Sequence, residues 1–352
     1  MDNELKKEII NCSRCALCME VCPVYKVKQT ETSVLRGKFL QLLGLIRGDL
    51  KYDKNIAYNL DLCLGCKKCK TACPSDIDAV KIFAKVKEEN MTLFEKVFYG
   101  ALMFKIKILF LKILYKVKYP IGRRYYKKTN STKPNEKIAH FNGCATKAIG
   151  LKFSIPSKFE KENFSCCALP FFVKGRLDLY EKYKKRNIDL IKKYDKVVFD
   201  CATCFDTVKN YEGIGDELKN KLIYFTDFYK NKNLKSDKKL KISFHKPCHL
   251  DNKTFEEIEN ILNNIENIQY ERMEGFDECC GFGGDFFIRH PKTAISLSIK
   301  KAENILKLNP DIILTTCPTC LWSLKFGIKT KNMKIKAYDL ADFLHNFILI
   351  KD

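Results

Sequence analysis

The sequence predicts a multidomain chain: a mainly helical, cysteine-rich N-terminal domain followed by an α/β domain built from two similar copies. Three observations carry this. The 352 residues include 18 cysteines in clusters: eight before residue 74, five between 144 and 204, five between 248 and 320. The last ten repeat one pattern: a single cysteine, an adjacent pair, then a pair two residues apart. Short apolar strands alternate with helical patterns around that repeat. With 46% apolar residues the chain can build real cores and is not disordered. Its start, Met1-Asp2-Asn3-Glu4-Leu5-Lys6-Lys7, lacks the apolar run of a signal peptide. We therefore expect a cytoplasmic, reducing setting, where clustered cysteines read as metal ligands rather than disulfides.

The N-terminal domain is expected over residues 1–90. Its first motif is Cys12, Cys15, Cys18 and Cys22, followed by Pro23. Its second is Cys63, Cys66, Cys69 and Cys73, followed by Pro74. This spacing is the two-cluster ferredoxin run, in which the fourth cysteine of each motif ligates the other cluster. The sequence thus assigns one 4Fe–4S cluster to Cys12, Cys15, Cys18 and Cys73, and another to Cys63, Cys66, Cys69 and Cys22. Three thiolates on a tight loop reach three corners of a cubane. The chain then leaves as a helix that cannot turn back to the fourth corner. Zinc also takes paired cysteines, but zinc motifs do not need the third and fourth members at these offsets twice. The 40 residues from Pro23 to Leu62 are too many for a minimal ferredoxin. Phe39, Leu42, Leu43 and Ile46 give Leu35 to Leu50 a helical pattern. A mainly helical ferredoxin domain of the respiratory-dehydrogenase type is expected.

Residues 91–136 read as a basic helical connector. Residues 91–139 carry 12 basic and 2 acidic side chains, nearly half of the chain's +22. Leu93 to Tyr119 is apolar but interrupted, and its longest uncharged run, Val97 to Phe104, is too short to span a bilayer. Lys105, Lys112 and Lys116 share one helical face. Such a helix can lie in a membrane interface, with Arg123, Arg124, Lys127 and Lys128 extending the basic surface. It can equally pack between the two halves with its lysines in solvent. Nucleic acid is the weaker reading, because no binding module accompanies the charge. The stretch Thr129-Asn130-Ser131-Thr132-Lys133-Pro134-Asn135 has loop composition.

The two C-terminal copies are expected over 137–240 and 241–352. The first holds Cys144, Cys166, Cys167, Cys201 and Cys204; the second holds Cys248, Cys279, Cys280, Cys317 and Cys320. Val197 to Cys201 and Ile313 to Cys317 read as matching strands that deliver a cysteine pair at the carboxyl end. Helical patterns precede them, at Leu179 to Lys193 and Thr293 to Leu308. Ile138 to Cys144 and Ile242 to Cys248 read as opening strands. Ligands at strand ends fit where open α/β sheets bind their cofactors. Gly281 follows the second adjacent pair and permits an unusual backbone, whereas Ala168 stands in the first copy, where a different geometry is expected. The first copy also has 21 residues between its first two cysteine positions, against 30 in the second. A disulfide between Cys317 and Cys320 is the competing account, but it leaves Cys279 and Cys280 unexplained.

These repeats resemble the cysteine-rich CCG domains of heterodisulfide reductase subunits. The chain from about residue 10 to 325 is similar to the iron–sulfur subunit of glycolate oxidase, and to those of lactate-utilisation systems and anaerobic glycerol-3-phosphate dehydrogenase. The segments that carry this are Cys22-Pro23-Val24-Tyr25, Leu35-Arg36-Gly37-Lys38, Cys63-Leu64-Gly65-Cys66, Pro247-Cys248-His249 and Cys280-Gly281-Phe282-Gly283-Gly284. The resemblance implies an electron-transfer subunit with further iron–sulfur clusters in the copies. An FAD-binding dehydrogenase partner would oxidise a 2-hydroxy acid, and electrons would move towards a quinone, at or near the inner face of the cytoplasmic membrane. The alternative is thiol–disulfide chemistry of the heterodisulfide reductase kind at a cluster of these copies. Glycolate oxidase subunits often have an eroded first repeat, whereas all five first-repeat cysteines are present here. The chain has no nucleotide fingerprint, since Gly281-Phe282-Gly283-Gly284 follows no strand–turn–helix pattern. It has no serine-triad signature either. It is not expected to oxidise a hydroxy acid alone. His245 and His249 could tune a cluster but read first as surface or capping histidines. Gly213 and Gly215 read as a turn.

Overall fold

The computed structural model describes residues 1–97, 136–149 and 162–351. The connector helix expected beyond Val97, with Lys105, Lys112, Lys116, Arg123, Arg124, Lys127 and Lys128, lies outside the described residues. The described residues form two compact units. One comprises residues 1–97 with Leu169–Glu181 and Cys279–Ser298; the other comprises the remainder.

The first unit is helical, as its sequence pattern predicts. Helices Asn3–Ile10, Leu35–Arg47, Lys54–Asp61 and Ala79–Asn90 bury Leu5, Ile9, Phe39, Leu42, Leu60 and Ile82 in one core. Acidic N-caps start three of them. Asp2 accepts from the Leu5 N–H at 2.7 Å, Asp53 from Ile56 at 2.9 Å and Asp78 from Lys81 at 3.2 Å. The helix read as Leu35 to Leu50 stops at Arg47, because Gly48 adopts φ +83° and closes it. Asp61, at the end of its helix, ties in the later segments. Its carboxylate pairs with Lys87 at 3.3 Å, with Lys174 at 3.4 Å, and with Arg289.

The second unit contains two sheets. Strands β1 (Ile138–His140), β2 (Lys196–Phe199) and β3 (Leu222–Tyr224) are parallel in the order β1-β2-β3. The other sheet contains β4 (Asn233–Phe244), β5 (Ile265–Tyr270), β6 (Ile312–Thr315), β7 (Lys336–Asp339) and β8 (Ile348–Lys351). Its order is β5-β4-β6-β7, with β8 antiparallel on β4. The parallel run β4-β6-β7 repeats β1-β2-β3, so each copy supplies the same three-stranded unit and the second adds β5 and β8. Behind β6 and β7 lie Met273, Ile305, Ile313, Leu321, Leu324 and Ala337.

The expected strands stop short of their cysteines. β1 ends at His140, and Cys144 opens a helix; β4 ends at Phe244 and begins earlier than Ile242, at Asn233. The helices read as Leu179 to Lys193 and Thr293 to Leu308 are Leu177–Ile191 and Pro291–Leu308. Gly213, with φ +82°, lies in the expected turn, whereas Gly215, with φ +66°, opens the helix Gly215–Asn220 instead. Among the described residues, no helix is long and apolar enough to cross a membrane.

Candidate metal centres

The two N-terminal cysteine loops have one backbone plan. Arg14 and Ala16 in the first have φ +57° and +68°; Gly65 and Lys67, at the same offsets in the second, have +66° and +59°. Left-handed residues on each side of the second cysteine turn successive N–H groups inward, an arrangement that suits an anionic centre. The Leu17 N–H donates to the Cys15 sulfur and the Lys68 N–H to the Cys66 sulfur, again at matching offsets. Gly65 N–H lies 3.5 Å from the Cys63 Sγ. Short helices Leu17–Val21 and Lys68–Thr71 then lead away from each loop and pack together.

Cys22, Cys63, Cys66 and Cys69 line a single pocket with Lys38. Burial pushes the Cys22 thiol up, against the N–H of Tyr25 and the Lys38 ammonium. Burial, with Cys63, Cys22 and Cys18 nearby, pushes Cys69 up to about 12. Cys66 is raised by burial and by Cys279, which lies within the same compact unit. Around the first loop, burial raises Cys18, with Cys12, Cys22 and Cys15 adding to it, while the Arg36 N–H opposes. Cys15 is exposed and lowered, chiefly by the Leu17 N–H. Cys73 is half-buried against the core of this unit. Thiols crowded this way resist ionising together unless a cation draws the protons off, and bound metal does that outright.

Nothing in the sequence singles out Lys38 by itself. It is 2% exposed, and its Nζ sits 5.3 Å from the centroid of the Phe83 ring. Burial pulls the ammonium down while Cys63 and Cys22 hold it up. Among the described residues no carboxylate pairs with it. A buried ammonium costs several kcal/mol unless a negative charge answers it. Here the only acidic groups that face it among the described residues are sulfurs, so the all-sulfur donor set fits an anionic iron–sulfur group, whose charge would answer the ammonium. The stretch Leu35-Arg36-Gly37-Lys38 aims the start of its helix at both loops, and Gly37 permits the approach. A Cβ at Gly37 would lie 2.2 Å from the Glu31 carbonyl oxygen.

In the second unit the first-copy cysteines gather. Cys144 and Cys166 have sulfurs 3.4 Å apart. Cys167 hydrogen-bonds to Cys204, Cys204 to Cys201, and Cys201 to Cys317 of the second copy. The two copies join here through the backbone as well, with Ala202 N–H donating to Thr316 O at 3.0 Å. Each copy places its cysteines alike: Cys144 and Cys248 shortly after β1 and β4, Cys201 and Cys317 as the N-caps of helices Ala202–Lys209 and Pro318–Thr330. Cys317 is held well below the ordinary thiol range by hydrogen bonds from Cys201 and Cys320, and the Thr319 hydroxyl lies 3.2 Å away. Among the described residues every cysteine is an unbridged thiol.

The backbone of the first adjacent pair is held by side chains with no sequence signature. Asn187, fully buried, donates to Cys166 O at 3.0 Å, and Tyr211 donates to Cys167 O at 2.9 Å. Ala168 departs from expectation. It adopts φ +65°, close to the +82° of Gly281, so the first copy keeps the turn without the glycine. A Cβ in this region is strained by roughly 1–2 kcal/mol. Ala168→Gly is therefore expected to raise the unfolding free energy by about 1 kcal/mol, less what glycine loses in chain entropy, as measured by denaturant melts. His245 also departs from its surface reading. It is fully buried, and a ring nitrogen lies within 4.8 Å of the Cys320 sulfur. His249 is half-buried.

The comparisons agree with this geometry. Residues 8–77 match the 4Fe-4S dicluster domain, and residues 134–209 and 242–325 match the cysteine-rich CCG domain. A fumarate reductase (CoM/CoB) subunit from Methanothermobacter marburgensis is 26% identical, over 97% of this chain and 73% of that protein. A dihydromethanophenazine:CoB–CoM heterodisulfide reductase subunit from Methanosarcina acetivorans is 24% identical, over 95% and 92%. A probable glycolate oxidase iron–sulfur subunit from Bacillus subtilis is 20% identical, over 98% and 96%. A hypothetical protein from Helicobacter pylori, of solved structure, covers 97% of this chain and 72% of its own, with TM-score 0.52 and 10% identity, a likeness of fold alone. The dicluster match makes the N-terminal centres two 4Fe–4S clusters, and the relatives are subunits of oxidoreductases. The chain thus carries one 4Fe–4S dicluster domain and two copies of the cysteine-rich CCG domain.

Proposed function

We propose that this chain is the electron-transfer subunit of a larger oxidoreductase and works on a thiol–disulfide couple at its cysteine-rich copies. One observation carries the finer part. The five first-copy thiols gather together with Cys317, and Cys317 is held towards the thiolate. A first copy serving only as scaffold would not need that set. When bound, the clusters supply electrons one at a time. The residues do the rest. Helix N-termini at Cys201 and Cys317 favour negative sulfur. Lys147 donates to Phe164 O at 3.1 Å and keeps its ammonium near Cys144 and Cys166. Reducing one disulfide takes two electrons and two protons and yields two thiols.

The proposed ligands are Cys12, Cys15, Cys18 and Cys73 for one cluster and Cys63, Cys66, Cys69 and Cys22 for the other. The pocket lined by Cys22, Cys63, Cys66 and Cys69 supports the second set. Further clusters are assigned to the ten cysteines of the two copies. The proposed domains are 1–90, 91–136, 137–240 and 241–352, in a cytoplasmic protein able to sit on the membrane surface.

The second reading is a flavin-linked 2-hydroxyacid dehydrogenase subunit. The end-to-end match to the glycolate oxidase subunit favours it. An FAD-binding partner would then oxidise glycolate or D-lactate and pass electrons through this chain towards a quinone. Co-purification from the native source, followed by turnover, separates the two. Disulfide reduction by the reduced complex is the expected result. An FAD-bearing partner that reduces the clusters on addition of glycolate or lactate, with no disulfide turnover, would establish the second reading instead.

A further inference from the structure

We propose that Lys38 sets the reduction potential of the cluster held by Cys22, Cys63, Cys66 and Cys69, and makes it the higher-potential member of the N-terminal pair. The inference rests on that ligand assignment. Because the two loops share left-handed residues and N–H donors at matching offsets, their backbones contribute similar fields. The buried cations break the symmetry. Lys38 lines the same pocket as Cys22, Cys63, Cys66 and Cys69, with its ammonium towards Cys63, Cys22 and Cys69, and Lys87, 8% exposed, faces Cys63.

The two lysines differ in what they can give. Lys87 shares its charge with Asp61 at 3.3 Å and donates to Val173 O at 3.0 Å. Among the described residues no carboxylate pairs with Lys38, and the Phe83 ring beside it fixes the ammonium without cancelling its charge. Its whole positive charge therefore faces the sulfurs. Reducing a cluster adds one negative charge, and a buried cation beside it favours that state. Net charge and burial are recognised levers on such potentials.

The test is a potentiometric titration of the anaerobically purified full chain, followed by electron paramagnetic resonance. Wild type is compared with Lys38→Met, Lys38→Arg and, to identify the signal, Cys22→Ser. In Lys38→Met the reduction equilibrium of one cluster should move about tenfold towards the oxidised state, about 59 mV for a one-electron couple. That cluster should be the one missing from Cys22→Ser, and the other midpoint should stay in place. Lys38→Arg should stay near wild type. Midpoints unmoved in Lys38→Met, or both moved alike, would overturn the proposal. If Lys38→Met cannot hold the cluster, Lys38→Arg decides. Retention at the wild-type potential supports a charge role, and loss in both shows that Lys38 acts by packing. A signal in Cys22→Ser that matches wild type defeats the ligand assignment, a separate failure from unmoved midpoints.

Discussion

Cys22→Ser is expected to remove the cluster of the Cys63 loop and spare that of the Cys12 loop, although Cys22 belongs to the first motif by sequence. Bound iron should fall from about eight to about four atoms in the N-terminal domain, leaving the signal that depends on Cys12, Cys15 and Cys18. Helix Leu17–Val21 carries the chain away from the first loop before Cys22 arrives, and Cys22 then lines the pocket of Cys63, Cys66 and Cys69. Cys73→Ser should give the reciprocal result. Iron analysis with resonance spectra of both variants checks the pair. Loss of the Cys12-loop signal in Cys22→Ser would refute the crossed assignment.

Gly37→Ala should damage the N-terminal unit severely. The new methyl would lie 2.2 Å from Glu31 O, 2.6 Å from its carbonyl carbon and 2.9 Å from Thr32 N. These are backbone atoms and cannot swing away, so the start of helix Leu35–Arg47 must move. The N–H of Arg36 would leave Cys18, and Lys38 would leave Cys22 and Cys63. Overpacking a tight site costs about 1–3 kcal/mol, occasionally more. At the upper end of that range, we expect a loss of about 3 kcal/mol in the cluster-free chain, measured by denaturant melts, and iron loss from both N-terminal centres. Retention of both clusters would show that the helix start can yield.

Much of this was legible because the ligand loops obey local rules. The cysteine offsets recur, the β2 and β6 strands are short apolar runs, and helix Leu35–Arg47 has its apolar face at regular spacing. What escaped was decided by tertiary partners. The start of β4, Asn233 to Lys239, is polar and lies before the strand expected from Ile242, yet it pairs with Ile348–Lys351 and the start of β5. Lys38 belongs to a residue type that is normally exposed, and only the facing thiols explain its burial. Ala168 holds a glycine-like turn because Asn187 and Tyr211 grip the adjacent carbonyls. No periodicity announces such partners.

The first compact unit draws on three separated stretches of chain, the last ending at Ser298. On the ribosome its final segment emerges long after Cys73. At about 5–20 residues per second, the delay is on the order of ten to forty-five seconds. For most of that interval Asp61 lacks its Arg289 partner, and Cys66 lacks Cys279 as a neighbour. Chain order thus leaves time for metal to reach the N-terminal loops before the unit can close.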